Sequence, residues 1–584
     1  MSSPSTIVLK SHYYLDHFLE MIEFVGKQYT HAFEPVHDRF LKDFSALSRD
    51  GQSLYVRVAN RKGHVLPRRS LRYDEIGSID RAISELSESR FLRSLERKDF
   101  PRLLALQKKE ELVRLVRSNE ACASVPPISA RKRKWIEYAL ANLDWESCFP
   151  QTTRESFVVQ DRTEELDYFL FLYFGQLSPN LQSFTLRDLG LIRTNEEKTT
   201  FSSRFENREI ALAAFRYTRL LESLSDKSPE ELLSLADQAQ SWLPSPDIEI
   251  EDRRNRLIRK LGRELERVEK PERALEVYSH SDRFPSTERR VRLLHQDGRV
   301  TEVSRLLEKM IENPSCDEEL LFAEDFYRRK FQQQRVGRLT SLLRSARELP
   351  LDESGRGASE NAAARFLASD GIEAHHVENA IWSQLFALLF WDLLFGPDSK
   401  HLHSSFDRSP SGLNSGRFFS DHEKEIQRRI AGLDSPDEAI RKLEESFAHA
   451  DEIPLSLCSL SPDLFALTRR LVLESPRGAL AEILEPMTKN HREARRGFPD
   501  LILFGDEGVS FLEIKTEGDQ IRRHQLVQIE RLIAAGFPVE VARVRWIVDP
   551  EQEYVVVDVE TTGGKAEWNR FTENGAVKMK GGRL

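Results

Sequence analysis

Two apolar stretches near the C-terminus constrain this chain more than any other feature. Leu501-Ile502-Leu503-Phe504 follows Gly497-Phe498-Pro499-Asp500, and Val509-Ser510-Phe511-Leu512-Glu513-Ile514-Lys515 follows Gly505-Asp506-Glu507-Gly508. The pattern reads as strand, tight turn, strand. Side chains alternate faces along a strand, so Val509, Phe511, Glu513 and Lys515 share one face, and Ser510, Leu512 and Ile514 take the other. A hairpin brings Asp500 beside Glu513, with the spacing Pro-Asp-x12-Glu-x-Lys. Cleaving a phosphodiester requires charge stabilisation on the attacking and leaving oxygens, and hard cations such as Mg²⁺ prefer carboxylate oxygen. Asp500 and Glu513 supply such oxygens, the Ile514 carbonyl is a further ligand, and Lys515 is placed to orient water or stabilise developing charge. The competing reading is a surface hairpin with an exposed Glu/Lys pair. Val509 and Phe511 on the same face argue against it. Pro-Asp recurs at 246, 397, 436 and 462, but only Pro499-Asp500 runs into two apolar strands.

A third carboxylate comes from upstream. A helix is read over His376 to Phe395, with Trp382, Leu385 and Leu389 at i+4, i+7 and i+11 from Glu378. That spacing puts Glu378 on the buried edge, where a carboxylate needs a partner or a metal. A glutamate favoured by the helix dipole is the other reading. His375 and His376 read as structural or DNA-facing. Gly518-Asp519 opens a helix over about 520–535 that stops at Gly536, with His524 and Gln525 one turn in and within reach of a scissile phosphate. The hydrolytic reading requires residues 378, 500 and 513 to converge around divalent ions.

At 584 residues the chain exceeds one core, and two to four domains are expected. The four cysteines have no CxxC spacing, which argues against a zinc site or disulfide framework and fits a reducing compartment. No signal-peptide pattern follows Met1, and the apolar run Ile381 to Phe395 is too short to span a membrane. The expected location is cytoplasmic. Net charge is −9, which argues against indiscriminate coating of nucleic acid, yet the charge is segregated. Arg57 to Arg72 holds six Lys/Arg and no acid, and Arg131-Lys132-Arg133-Lys134 is a second basic block. Arg57, Arg61, Lys62, Arg68, Arg69, Arg131 and Lys132 are therefore read as phosphate contacts, with Arg492, Arg495, Arg496, Arg522 and Arg523 near the hairpin. Solvated faces are the alternative for each block.

The periods give a multidomain, mostly α chain with α/β ends. Residues 1–97 read as an α/β unit with a strand at Leu54 to Val58, and residues 98–150 as helices at Leu103 to Val116 and Arg131 to Leu143 separated by Val125-Pro126-Pro127. Residues 151–370 read as stacked helical hairpins without a clean 34-residue repeat, Leu351 to Ala363 as a linker, and 371–584 as a final α/β domain.

The string Gly-Phe-Pro-Asp-Leu, Leu-Glu-Ile-Lys, Gly-Asp-Gln, His-Gln and Val539-Glu540-Val541 resembles the VRR-NUC branch of the PD-(D/E)xK nucleases. Val377-Glu378 with Leu388-Leu389-Phe390-Trp391-Asp392, His12-Tyr13-Tyr14-Leu15 and Gly51-Gln52-Ser53-Leu54-Tyr55-Val56-Arg57 extend the resemblance to the Fanconi-associated nuclease family. The resemblance implies a restriction-endonuclease-like VRR-NUC domain, a SAP-like segment at 98–150 and a tetratricopeptide-like middle. It implies a DNA-repair nuclease acting on 5′ flaps and other branched DNA, with 5′-to-3′ exonuclease activity, 5′-phosphate products and a part in interstrand crosslink repair. It implies Glu378, Asp500, Glu513, Lys515 and Gln525 as catalytic residues. Two Mg²⁺ or Mn²⁺ ions would be held by Glu378, Asp500, Glu513 and Ile514. The chain departs from eukaryotic members in lacking a Cys/His ubiquitin-binding zinc-finger pattern, which suggests a bacterial, nucleoid-associated form. The rival functions are an inactive DNA- or protein-binding helical scaffold and a Holliday-junction or restriction-type endonuclease on the same core.

Overall fold

The computed structural model describes residues 9–61, 63–118, 125–177, 181–195, 200–333, 338–450, 457–506, 508–548, 553–561 and 571–580. The chain divides into two compact units, one of residues 1–194, 201–218 and 403–406, the other of 195–200, 219–402 and 407–584.

In the first unit, helices Tyr13–Gln28, Pro35–Ala46 and Arg49–Ala59 enclose an aromatic core of Phe18, Phe40, Phe44, Tyr55 and Phe91. The expected strand at Leu54 to Val58 is the helix Arg49–Ala59, capped by the Ser48 side chain accepting from the Gly51 amide. Leu54, Tyr55, Val56 and Val58 are all buried, and a run apolar on every side carries no period to separate helix from strand. Strands do occur, at Val65–Pro67, Leu92–Arg93 and Phe157–Gln160, in one small antiparallel sheet. The SAP-like expectation falls on helices Phe100–Leu106, Lys109–Arg117 and Lys132–Asn142 around buried Trp135.

The second unit begins as a helical array. Ile248–Arg267, Pro271–Ser279, Ser286–Gln296, Val300–Glu312 and Asp317–Lys330 follow one another, with Val291, Val303, Leu307, Met310 and Phe322 in a shared core. Gly262 admits the Tyr278 ring, which a Cβ at that position would meet at 2.4 Å.

The array leads into a five-stranded sheet. Its strands are β1 (Arg347–Asp352), β2 (Glu373–His376), β3 (Leu501–Gly505), β4 (Gly508–Lys515) and β5 (Val539–Ile547). The order across the sheet is β1-β5-β4-β3-β2, with β1·β5 and β4·β5 parallel and the remaining pairs antiparallel. The β3–β4 hairpin has Gly505 opposite Gly508, as its turn residues require. The parallel β4–β5 step needs a crossover, supplied by α3 (Arg523–Ala534). Two other helices flank the sheet, α1 (Ser359–Ser369) and α2 (Ala380–Leu389). The expected linker at 351–363 instead holds the end of β1 and the start of α1, so the sheet begins well before residue 371. Ala363 and Leu367 of α1 pack on Leu501, Leu512 and Ile514. On the other face, Trp382 of α2 stacks on Phe498 at 5.0 Å and meets Phe511 at 5.9 Å. Beyond the sheet, Glu553–Thr561 and Phe571–Lys580 pair as an antiparallel ribbon. Cys148, Cys316 and Cys458 are free thiols, and Cys122 lies outside the described residues.

Candidate active site

The alternation of β4 places its polar pair as the period requires. Val509 and Phe511 are buried on one face, and Glu513 and Lys515 continue that face with 0 % and 7 % exposure. Lys515 Nζ lies 2.6 Å from Glu513 Oε1. Gln525, in the first turn of α3, donates from Nε2 to Glu513 Oε1 at 2.5 Å and accepts from Lys515 Nζ at 3.3 Å on Oε1. The same Oε1 accepts the Arg522 amide at 3.0 Å, which fixes the Gln525 amide orientation. Glu513 Oε2 is buried and has no hydrogen-bond partner. An orphaned carboxylate oxygen in a buried position carries a large desolvation cost, which a cation would offset.

Asp500 precedes β3 and bridges three elements. Its Oδ2 accepts the Ile514 amide at 2.8 Å, and its carbonyl accepts the amides of Val377 and Glu378, each at 3.1 Å. The N–H and C=O of one strand residue point to the same side, so the Ile514 carbonyl faces the Asp500 side of β4. Burial pushes the Asp500 carboxyl up, against the Ile514 amide and Lys515, which hold it down. Burial pushes Glu513 up to about 7, with the Asp500 charge acting in the same sense and Lys515 opposing. Two acids share one ammonium, and the excess negative charge fits a divalent ion.

Glu378 differs from the sequence expectation. The chain runs as strand to His376 and turns helical only at Ala380, so Glu378 is not on the buried edge of a helix. It is exposed, with φ +43°, a left-handed backbone uncommon outside glycine. Its Oε1 accepts from Asn379 Nδ2 at 2.9 Å, while Asn379 Oδ1 accepts the Phe498 amide at 3.2 Å. Asn379 thus ties Glu378 to the segment entering Asp500. Among the described residues no group of three His, Cys, Asp or Glu side chains stands ready to hold a metal ion. Asp500 and Glu513 converge, and Glu378 reaches them through its backbone and through a charge that acts on both. Glu360, in the first turn of α1 and formerly in the supposed linker, acts on Asp500 in the same sense.

His375 pairs with Glu373 at 2.9 Å on β2, in keeping with a structural role. His524 lies against Gly497, whose φ of +90° and lack of a Cβ allow the contact; a Cβ would meet the His524 carbonyl oxygen at 2.7 Å. This close approach explains the glycine of the Gly-Phe-Pro-Asp string.

The basic residues separate into two groups. Arg57 is bonded to Glu75 at 2.5 Å and lies over the Tyr14 ring at 3.9 Å. Arg61 donates to the Tyr73 hydroxyl and to Ser70. Arg523 pairs with Glu288, Arg496 with Glu318 at 3.0 Å, and Lys132 donates to the Ala105 carbonyl at 2.6 Å. These five are engaged within the chain. Arg68, Arg69, Arg131, Arg492, Arg495 and Arg522 are exposed, and Lys62 lies outside the described residues. The proton affinity of Arg492 is lowered, first by desolvation and then by Arg256, with Arg259 adding to the effect and Asp252 opposing it. Arg256 and Arg259 belong to helix Ile248–Arg267, and Arg256 is paired with Asp252 at 3.1 Å.

Arg57→Ala is expected to lower stability by about 1–3 kcal/mol, the worth of a partly buried charged hydrogen bond, and to leave the salt dependence of DNA binding unchanged. Thermal unfolding and a salt titration check this. Weakened DNA binding with an unchanged melting temperature would restore the contact reading.

A family model described as the FAN1 HTH domain matches residues 12–93, and the VRR-NUC domain model matches residues 434–546. The Fanconi-associated nuclease 1 homolog of Pseudomonas aeruginosa is 25% identical over 583 residues, covering 92% of this chain and 96% of that protein. The homolog of Arabidopsis thaliana is 24% identical and covers 90% of this chain and 66% of that protein. A crystal structure of paFAN1 bound to 2-nt 5′-flap DNA with gap superposes with a TM-score of 0.74 at 23% identity, over 93% of this chain and 100% of that one. That likeness carries the multidomain, mostly helical fold with its α/β C-terminal end. The two family models fall toward the two ends where the motifs lie, and the similarity to Fanconi-associated nuclease 1 homologs runs nearly the length of the chain.

Proposed function

We propose that the chain is a divalent-metal-dependent, structure-selective DNA nuclease of repair that cuts branched DNA at 5′ flaps. The observation that carries this reading is the buried pair Glu513 and Lys515, both bonded by Gln525, beside Asp500, with Glu513 Oε2 left without a partner. The names of the relatives and the flap DNA in the neighbouring structure support the substrate class. Two Mg²⁺ or Mn²⁺ ions would be held by Asp500, Glu513, the Ile514 carbonyl and, after its side chain leaves Asn379, Glu378. When bound, they would polarise the phosphate and stabilise the charge of attacking and leaving oxygens.

The chain's own residues do the rest. Gln525 and Glu513 fix Lys515 Nζ at one point, where it orients the attacking water and stabilises charge on the phosphate oxygens. Asp500 locks the Ile514 backbone so that its carbonyl stays on the site's edge. Arg492 and Arg259 are suited to a phosphate of the strand, with Arg495 and Arg522 as further contacts, while Arg256 is paired with Asp252 at 3.1 Å. Residues 1–97, 98–150 and the helical part of 151–370 ahead of β1 would bind the duplex arms, with Arg68, Arg69 and Arg131 as exposed contacts, and the sheet with its flanking helices would cut. The products would carry 5′ phosphates, and the enzyme would act in interstrand crosslink repair at the nucleoid. Among the described residues no helix is long and apolar enough to cross a membrane.

End-labelled flap, nicked and four-way substrates test the reading. Cleavage of the flap is expected in Mn²⁺ and Mg²⁺. Ca²⁺ takes more ligands in looser geometry, so it should support binding without turnover. Full cleavage in Ca²⁺, with trace transition metals chelated, would sink the metal role. No cleavage with any ion would favour an inactive scaffold.

A further inference from the structure

The helix that carries Gln525 is held from outside the nuclease sheet. Arg523, the first residue of α3, donates from Nη1 to Glu288 Oε2 at 2.8 Å and from Nη2 to Oε1 at 2.9 Å. This is a bidentate fork of the kind that fixes geometry as well as charge. Glu288 lies 235 residues upstream, on helix Ser286–Gln296 of the helical array, and is 6 % exposed. Arg292, one turn on, donates to the same carboxylate at 2.8 Å. The Arg523 guanidinium is further confined over the rings of Phe284 and Phe322, at 5.5 and 5.2 Å. Leu321 of the array packs with Ile521, Leu526 and Ile529 around α3. A buried fork of this kind is costly to desolvate and is retained where it fixes a position.

What it fixes lies two residues along. Gln525 bonds both Glu513 and Lys515, at 2.5 Å and 3.3 Å. A slip of α3 by a fraction of a turn would break both. The contact path therefore runs from Glu288 to Arg523, along the first turn of α3 to Gln525, and from there to the buried acid and ammonium.

Resting on the nuclease reading above, we propose that Glu288 is a positioning residue of the active site. Through Arg523 it sets the register of α3, so that the helical array holds Gln525, and with it Glu513 and Lys515, in the cutting geometry. Arg523 is thereby assigned to this internal fork and not to the DNA backbone.

A double-mutant cycle on the full chain tests this. Glu288→Ala and Arg523→Ala are each expected to lower kcat on a 5′ flap about tenfold, as loss of an outer partner of a metal-site residue commonly does. KM should stay within about twofold. The Glu288→Ala/Arg523→Ala chain should be no worse than the poorer single variant, because both remove one interaction. Mn²⁺ affinity, measured calorimetrically without DNA, should fall in parallel in all three. Losses that multiply, an unchanged kcat in Glu288→Ala, or a loss confined to KM and salt slope in Arg523→Ala would overturn the proposal, the last by placing Arg523 on phosphate. Should Glu288→Ala fail to fold by circular dichroism, Glu288→Gln and Arg523→Lys keep the shape and weaken the fork. The same kcat-only loss, at reduced size, is then expected, and its absence counts against the proposal. A wild-type chain that binds Mn²⁺ but cuts nothing would end the nuclease reading, and the Mn²⁺ comparison would still decide whether Glu288 organises the site.

Discussion

Glu513→Gln is expected to reduce cleavage by about a thousandfold or more while making the metal-free protein more stable above pH 7. Both effects come from one charge. Asp500 and Glu513 share the single ammonium of Lys515, and Glu513 is fully buried with one oxygen unpartnered. Burial, then the Asp500 charge, raises its carboxyl from 4.5 to about 7. The folded chain therefore binds this proton more tightly than the unfolded chain. The stabilisation is complete below pH 4.5 and is lost as pH rises through about 7. At pH 8 the wild type carries the full cost, on the order of 3 kcal/mol. Glutamine can accept the same bonds from Gln525 and Lys515 through its Oε1, and it leaves Asp500 and Lys515 as a balanced pair. Thermal unfolding in chelator should show the wild type losing stability between pH 5 and 8 and the variant much less. Adding Mg²⁺ should raise the melting temperature of the wild type more than that of the variant, since only the wild type keeps both acids. Parallel pH curves, or a variant that cuts normally, would show that Glu513 is neither strained nor needed.

The sequence revealed this pair because strand periodicity is short and strict. Once Val509 and Phe511 are assigned inward, Glu513 and Lys515 must follow. The hairpin, the crossover helix and Gln525 on its first turn were legible for the same reason, since each is a local pattern. Glu378 was placed wrongly because the apolar run after it continues a helical spacing backward past the true start at Ala380. Only the Asp500 carbonyl, accepting two amides from residues 377 and 378, shows where that turn sits. Asn379 is a residue type that favours helix starts, so its position was readable, but its bond to the Phe498 amide 119 residues away was not. The Gly/Ser-rich stretch after Leu351 looked like a linker, yet β1 gains its place by pairing with β5 almost two hundred residues later. The partners of the basic residues were hidden for a different reason. Whether an arginine is free depends on where its acid lies, and Glu288 for Arg523 or Glu318 for Arg496 is visible only after folding.

Asp500→Asn is expected to lose cleavage by about a thousandfold or more with the fold intact and flap binding within about threefold, because phosphate contacts, not the acids, set affinity. Asp500 does two separable jobs. As a hydrogen-bond acceptor it holds the Ile514 amide at 2.8 Å, and as a backbone carbonyl it receives Val377 and Glu378. Asparagine keeps both. What it removes is the negative charge, which burial already disfavours and which only a cation would compensate. Asp500→Ala removes the acceptor as well, leaving the Ile514 amide unsatisfied at a cost of about 1–3 kcal/mol. The pair of variants should thus be equally inactive but differ in melting temperature, alanine lower. An asparagine variant that still cuts would mean that the charge at 500 takes no part in the chemistry. Equal melting temperatures for the two would mean that the Ile514 amide does not depend on this side chain, and the alignment of the Ile514 carbonyl with the site would lose its support.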